Sequence, residues 1–247
     1  MKIISFSAIK GGVGKSSLAI LMANYLSQSG YRVLCIDLDI QNSMTFYYLP
    51  DKETDNKNIF HALSNDNLKD NIIKDLFINV IPSSLNLLKL RSININTLNR
   101  LRNQIETDFD YVVIDTAPTF DNIVLNAVCS SDFIITPCYY SMFDFKALDF
   151  YGSQIKLETD KITNWKILIN KYREPKSDNP DTELNQYISL YKSTFDNILN
   201  SKIPDTNIIQ KAIDTKIKIT EKKIKLYNAI QGLCKELLNI ENKPESF

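Results

Sequence analysis

The feature that most constrains this chain is its opening run, "KIISFSAIKGGVGKSSLAILMANYLSQSG" (2–30). A short apolar, β-rich segment leads into a glycine loop, and the loop leads into a helical face. Leu18, Met22 and Leu26 recur every four residues, which marks one side of a helix. Gly30 is placed to stop that helix. The same alternation then repeats. "RVLCID" (32–37), "FINVIPS" (77–83), "YVVID" (111–115), "DFIITPC" (132–138) and "WKILINK" (165–171) read as strands. Helical patterns are expected near 95–107, 143–158, 182–198 and 220–239. Strands that are apolar throughout are buried on both faces, hence a parallel sheet covered by helices. The expected fold is α/β: a doubly wound, mostly parallel sheet flanked by helices. Residues 1–241 are expected to form one domain, with 242–247 a frayed tail.

Composition narrows the partners. Acids and bases balance at 29 each, so net charge gives no push toward nucleic acid or membrane. No apolar run approaches the roughly 20 residues that span a bilayer, and no signal segment opens the chain. Cys35, Cys129, Cys138 and Cys234 are far apart in apolar segments and read as reduced, buried thiols of a cytosolic protein. His61 is the only histidine, which excludes a His-rich metal site.

In doubly wound sheets, ligands sit beyond the carboxyl ends of the strands. The glycine loop follows the first strand, Asp37 and Asp39 follow the second, Asp115 ends a central one and Asn170 closes a later one. All fall at one edge of the expected sheet. The loop nearly fits the phosphate-binding pattern G-x-x-x-x-G-K-[ST]. Gly14, Lys15 and Ser16 supply its end, but Ile9 stands where the first glycine belongs, and an extra lysine, Lys10, follows it. Backbone N–H groups of Gly11, Gly12, Val13, Gly14 and Lys15 can wrap phosphate oxygens, and Ser17 extends the binding segment into the helix. The helix start adds the positive end of its dipole. Lys15 can reach β- and γ-phosphates, and the Ser16 hydroxyl can ligate Mg²⁺. Asp115 stands where a Mg²⁺-associated acid stands in P-loop enzymes. The alternative is a glycine turn in an unrelated α/β protein; the preceding strand, the following helix and the aspartate-ended strand downstream weigh against it.

"KGGVGKSS" resembles the deviant Walker A motif of the ParA/MinD family of P-loop ATPases. "VLCIDLDIQNS" resembles the family's next segment, D-x-D-P-Q-x-x, and "YVVIDTAPTF" its Walker B segment. The likeness runs on through "FINVIPSS", "FIITPCYYS", "ILINKY" and "SKIPDTNIIQKAI". Membership implies ATP and Mg²⁺ as cofactors and a nucleotide-sandwich homodimer in which each Lys10 crosses to the partner's ATP. It implies that Asp39 orients or activates the attacking water, that Asp37 supports the Mg²⁺ shell, and that Asn170 and Pro204 lie near the adenine. Asp37 also reads as a strand-end helix cap, and Asn170 as a turn former. The chain departs from the family at Ala8-Ile9, often Asn-Gln; at Ile40, commonly proline; and at Asp205, often basic.

Within that family the resemblance favours a ParA-type partition ATPase. It implies a slow, partner-stimulated enzyme that is cytoplasmic and nucleoid-associated. Its partners would be nonspecific DNA and a ParB-like centromere-binding protein. The chain starts at its first strand, so no operator-binding helix-turn-helix is expected. The C-terminus "LLNIENKPESF" lacks the basic, amphipathic character that membrane adsorption needs, which disfavours a MinD-like membrane cycle. A small-molecule P-loop synthetase would usually lack Lys10, and Cys129 and Cys138 do not suit the iron–sulfur cluster of a nitrogenase iron protein. The region 202–225 is net positive. Lys216, Lys218, Lys222, Lys223 and Lys225 read either as a phosphate-backbone patch or as a solvated helix face.

Overall fold

A computed structural model describes residues 1–74, 78–175, 177, 179–206, 209 and 224–240. Its strands are β1 (Lys2–Phe6), β2 (Val33–Leu38), β3 (Asn79–Ile81), β4 (Tyr111–Thr116), β5 (Phe133–Cys138), β6 (Trp165–Tyr172) and β7 (Ile198–Pro204). They form one sheet in the order β3-β2-β4-β1-β5-β6-β7, and every strand pairing is parallel. The helices are α1 (Lys15–Gln28), α2 (Ser43–Tyr48), α3 (Ile59–Ser64), α4 (Thr97–Leu101), α5 (Asn122–Ser130), α6 (Met142–Glu158), α7 (Glu183–Thr194) and α8 (Ile224–Leu238).

Both faces of the sheet are covered, as the unbroken apolar strands require. Ile4, Phe6, Cys35 and Val113 pack with Leu18, Met22 and Leu26 of α1 and with Leu226, Ile230 and Leu233 of α8. Their strand neighbours Ile3, Leu34, Ile36, Val112 and Ile114 pack with α3, α4 and α5 on the other side. The alternation follows from the two-residue period of a strand. Beyond β5, a third cluster joins Leu148, Tyr151 and Ile155 of α6 to Trp165 and to Tyr191 of α7.

Helix α1 stops where the sequence places its glycine. Gly30 has φ +81°; its N–H donates to the Ser27 carbonyl, and the Tyr31 N–H donates to Leu26. This is a Schellman ending, which the missing Cβ makes cheap.

Several elements differ from expectation. The helix expected over 182–198 ends at Thr194, because Ile198 opens the edge strand β7. The helix expected at 95–107 is the single turn α4 followed by a 3₁₀ turn, Arg102–Gln104. Helices α2, α3 and α5 had no counterpart in the periodicity. The last helix was expected from 220; its described part is α8. The β7 edge is closed by that helix, since Glu236 accepts the N–H groups of Asn200 at 2.7 Å and Ser201 at 2.8 Å.

Candidate functional site

The glycine loop leaves β1 beside the centre of the sheet. Ser7 continues the pairing through its N–H to Ile135, and its hydroxyl accepts from Tyr151 at 2.6 Å. Gly12 and Gly14 have φ +76° and +97°. Gly14 is the N-cap of α1, and the Leu18 N–H donates to its carbonyl. A Cβ at Gly14 would lie 2.5 Å from Asn170 Nδ2, so both space and backbone demand glycine there. Lys15 is 7 % exposed, and its ammonium lies 3.4 Å from the Lys10 carbonyl. Burial pushes the Lys15 ammonium below its ordinary range, while the charges of Asp115 and Asp39 pull the other way.

The acids converge through strand register. Asp37 and Asp115 are directly paired between β2 and β4, and both are fully buried. Asp37 accepts from the Asp39 N–H at 3.0 Å, the Thr45 N–H at 2.8 Å and the Thr45 hydroxyl at 2.7 Å. It therefore braces the turn into α2 as well as facing the site. Burial pushes its carboxyl up to about 6, against the pull of those hydrogen bonds. Asp115 is raised further, by burial and then by the charge of Asp37. Neither Asp115 oxygen accepts a hydrogen bond of sound geometry, though the nearby Ser16 hydroxyl favours its ionised form. A buried carboxylate left without partners is costly, and a cation between Ser16 and Asp115 would supply what it lacks. Among the described residues, no group of three or more His, Cys, Asp or Glu side chains is placed to hold a metal ion by itself. That donor set suits Mg²⁺, which binds one or two carboxylates and completes its shell with substrate phosphate and water. Asp39, just past the end of β2 and 7 % exposed, accepts from the Gln41 N–H at 3.0 Å.

Lys10 is held within its own chain. Its Nζ lies 2.5 Å from Asp144 Oδ2 and 5.8 Å from the ring centre of Tyr139. Lys171 Nζ approaches the same ring at 5.2 Å, and the Tyr139 hydroxyl donates to the Gly12 carbonyl at 2.7 Å. Asn170, 4 % exposed, donates from Nδ2 to the Val13 carbonyl at 2.8 Å.

Pro204 ends β7, paired with Tyr172. Asp205 accepts from Arg173 Nε at 2.6 Å, which accounts for an acid where a base was expected. Lys225 is exposed at the start of α8. Lys216, Lys218, Lys222 and Lys223 lie outside the described residues.

The structure thus gathers Lys10, the 11–16 loop, Asp37, Asp39, Asp115 and Asn170 on one sheet edge. The sequence alone did not point to Tyr139, Asp144 or Thr45. Ser141 and Asp144 did carry a signal, a Ser-x-x-acid cap at the start of α6: Ser141 accepts from the Asp144 N–H at 3.1 Å. A cap pattern does not disclose a lysine 134 residues away.

Comparison with known proteins gives a consistent result. The family described as AAA domain matches residues 1–169. An uncharacterized protein of Methanocaldococcus jannaschii is 32 % identical over 231 residues, covering 86 % of this chain and 88 % of that one. The sporulation initiation inhibitor protein Soj of Bacillus subtilis is 29 % identical over 153 residues, 57 % of this chain and 60 % of Soj. A proposed plasmid partition protein of Borrelia burgdorferi, solved with AMPPNP bound, superposes with a TM-score of 0.78 at 26 % identity, covering 95 % of this chain and 98 % of that one.

Proposed function

The chain belongs to the AAA-domain family of P-loop ATPases, on the branch of the ParA-type partition proteins, and from that premise we propose that it segregates a replicon by cycling between ATP-bound and free forms. The backbone amides of residues 11–15 cradle the triphosphate while Lys15 neutralises its β- and γ-oxygens. Ser16 and Asp115 would hold Mg²⁺, with Asp37 supporting them. When bound, the ion supplies charge neutralisation at the transferred phosphoryl group. Asp39 orients the attacking water. Lys10 leaves Asp144 and crosses to the partner's phosphates, adding positive charge only when two subunits meet. This parallels an arginine finger supplied in trans.

The ATP-bound homodimer binds DNA without sequence preference, through lysines of the 202–225 region. A ParB-like centromere-binding partner stimulates hydrolysis and releases it. Among the described residues, no helix is long and apolar enough to cross a membrane.

The observation that carries this proposal is the presence of two lysines on one loop, Lys15 in the field of Asp115 and Asp39 and Lys10 held apart from it on Asp144. A monomeric phosphate site needs only Lys15. Light scattering with a non-hydrolysable ATP analogue tests it. The parent protein should double in mass with the analogue and not with ADP; a mass unchanged by either nucleotide would contradict the trans role of Lys10.

A further inference from the structure

Two side chains from outside the glycine loop hold its carbonyl groups. The Tyr139 hydroxyl, from the corner between β5 and α6, donates to the Gly12 carbonyl at 2.7 Å. Asn170 Nδ2, from the end of β6, donates to the Val13 carbonyl at 2.8 Å. A peptide unit is planar and trans, so each carbonyl points opposite to the N–H of the next residue. Fixing the Gly12 carbonyl therefore fixes the Val13 N–H, and fixing the Val13 carbonyl fixes the Gly14 N–H. Both N–H groups are sent away from Tyr139 and Asn170. These are two of the donors that must converge on phosphate.

The surroundings of Asn170 are specialised for this hold. Its Oδ1 accepts the Lys171 N–H at 2.8 Å, and Lys171 adopts φ +48°. A non-glycine residue in the left-handed region is unfavourable, so the local backbone is strained while the amide stays aimed at the loop. Gly14 leaves the space that Asn170 enters, since a Cβ there would lie 2.5 Å from Nδ2. Tyr139 is held in turn, with Lys10 and Lys171 on its ring at 5.8 and 5.2 Å.

We propose that Tyr139 and Asn170 are positioning residues that aim the Val13 and Gly14 amides at the phosphates, so that both set the affinity for the triphosphate irrespective of the base. The proposal rests on the nucleotide-binding function above and extends it. It adds a hold on the phosphate cradle to Asn170, whose likeness to the family suggests the adenine.

The test uses the full chain and its Tyr139→Phe and Asn170→Ala variants with Mg²⁺. Affinities for ATP and for inorganic triphosphate are measured by competition against a fluorescent ATP analogue, and melting temperatures check folding. Each variant should bind both ligands about fivefold more weakly, the factor that about 1 kcal/mol, one neutral hydrogen bond, represents. The fold-loss for Tyr139→Phe should be the same for ATP and for inorganic triphosphate, and Asn170→Ala should weaken inorganic triphosphate, which has no base to contact. Asn170→Ala weakening ATP alone would overturn its part and return the residue to the adenine. Tyr139→Phe, a minimal change at a half-buried ring, binding both ligands at the parent affinity would overturn the tyrosine's part. A parent chain that binds neither ligand would instead overturn the nucleotide-binding function itself.

Discussion

Lys10 Nζ and Asp144 Oδ2 are 2.5 Å apart, and the Asp144 side chain is 2 % exposed against 37 % for Lys10. The carboxylate's other side-chain partner is the Ser141 hydroxyl. Withdrawing Lys10 leaves a buried charge uncompensated, which is strongly destabilising. A dimer in which Lys10 crosses would have to offset that loss, so on the proposed mechanism Asp144 should set how readily the subunits join. Asp144→Asn should tighten the ATP-dependent dimer by about tenfold or more, the effect of at least 1.4 kcal/mol. Lys10→Ala should block dimerisation while sparing nucleotide binding by the monomer. Light scattering with a non-hydrolysable analogue reads both. An Asp144→Asn protein that dimerises no better than the parent would show that the ion pair is not what Lys10 must leave.

Asp39 differs from its two neighbours in exposure and, in the proposed mechanism, in role. Asp37 and Asp115 are fully buried, whereas Asp39 keeps 7 % exposure. Asp39→Ala should bind ATP within a few-fold of the parent and dimerise, yet turn over about 100-fold or more slowly, the usual size of a lost proton-transfer or water-orienting group. Phosphate release under single-turnover conditions measures this, and turnover at the parent rate would remove the assignment.

The loop itself makes a sharper demand. Lys15→Ala should abolish measurable ATP binding, because the buried ammonium and the loop amides act on the same oxygens. Gly14→Ala should do nearly as much without removing any charge. It forces a Cβ against Asn170 Nδ2 and onto a backbone at φ +97°. Calorimetric titration of the folded variants checks both, and near-parent affinity in Lys15→Ala would be incompatible with a P-loop.

Much of this was legible in the sequence because it is local. The strands declare themselves by unbroken apolar runs, and the register that pairs Asp37 with Asp115 follows once each aspartate ends such a run. Strand β7 escaped because "ILNSKIP" is an edge strand of mixed polarity, adjoining a helical pattern that seemed to run into it. Helix α5 escaped although Asp121 caps it through the N–H groups of Ile123 and Val124 and Asn122, Asn126 and Ser130 recur every four residues; the run is short, and every residue after Asn122 is buried. The holds on the loop escaped for a different reason. Tyr139 reaches Gly12 across 127 residues, and Asn170 reaches Val13 across 157. Such contacts exist only once the sheet is assembled.

Stability at acid pH should report the hold of α8 on the sheet edge. Burial alone would raise the Glu236 carboxyl, but the hydrogen bonds from Ser201 and Asn200 outweigh it and lower it below its ordinary 4.5. The stabilisation is therefore complete above about 4.5 and is lost as pH falls through the folded value. Glu236→Gln should lower stability by roughly 0.5–1 kcal/mol at neutral pH, the value of bonds to a charged group reduced by solvent screening at this partly exposed site. The gap from the parent should narrow on acidification. Melting curves from pH 7 to pH 3 test this; a gap that widens with acid would reverse the assignment.

The central claim is that ATP switches this chain onto DNA. Its most direct test is filter binding of an arbitrary duplex by the Asp39→Ala protein at several salt concentrations, with ATP and with ADP. Binding should require ATP and should not depend on sequence. It should weaken steeply with salt, by roughly one unit of log–log slope per phosphate contact. Lys218→Ala combined with Lys222→Ala should reduce both affinity and slope while leaving ATP binding unchanged. Equal DNA binding with ATP and ADP, or none with either at low salt, would contradict the claim.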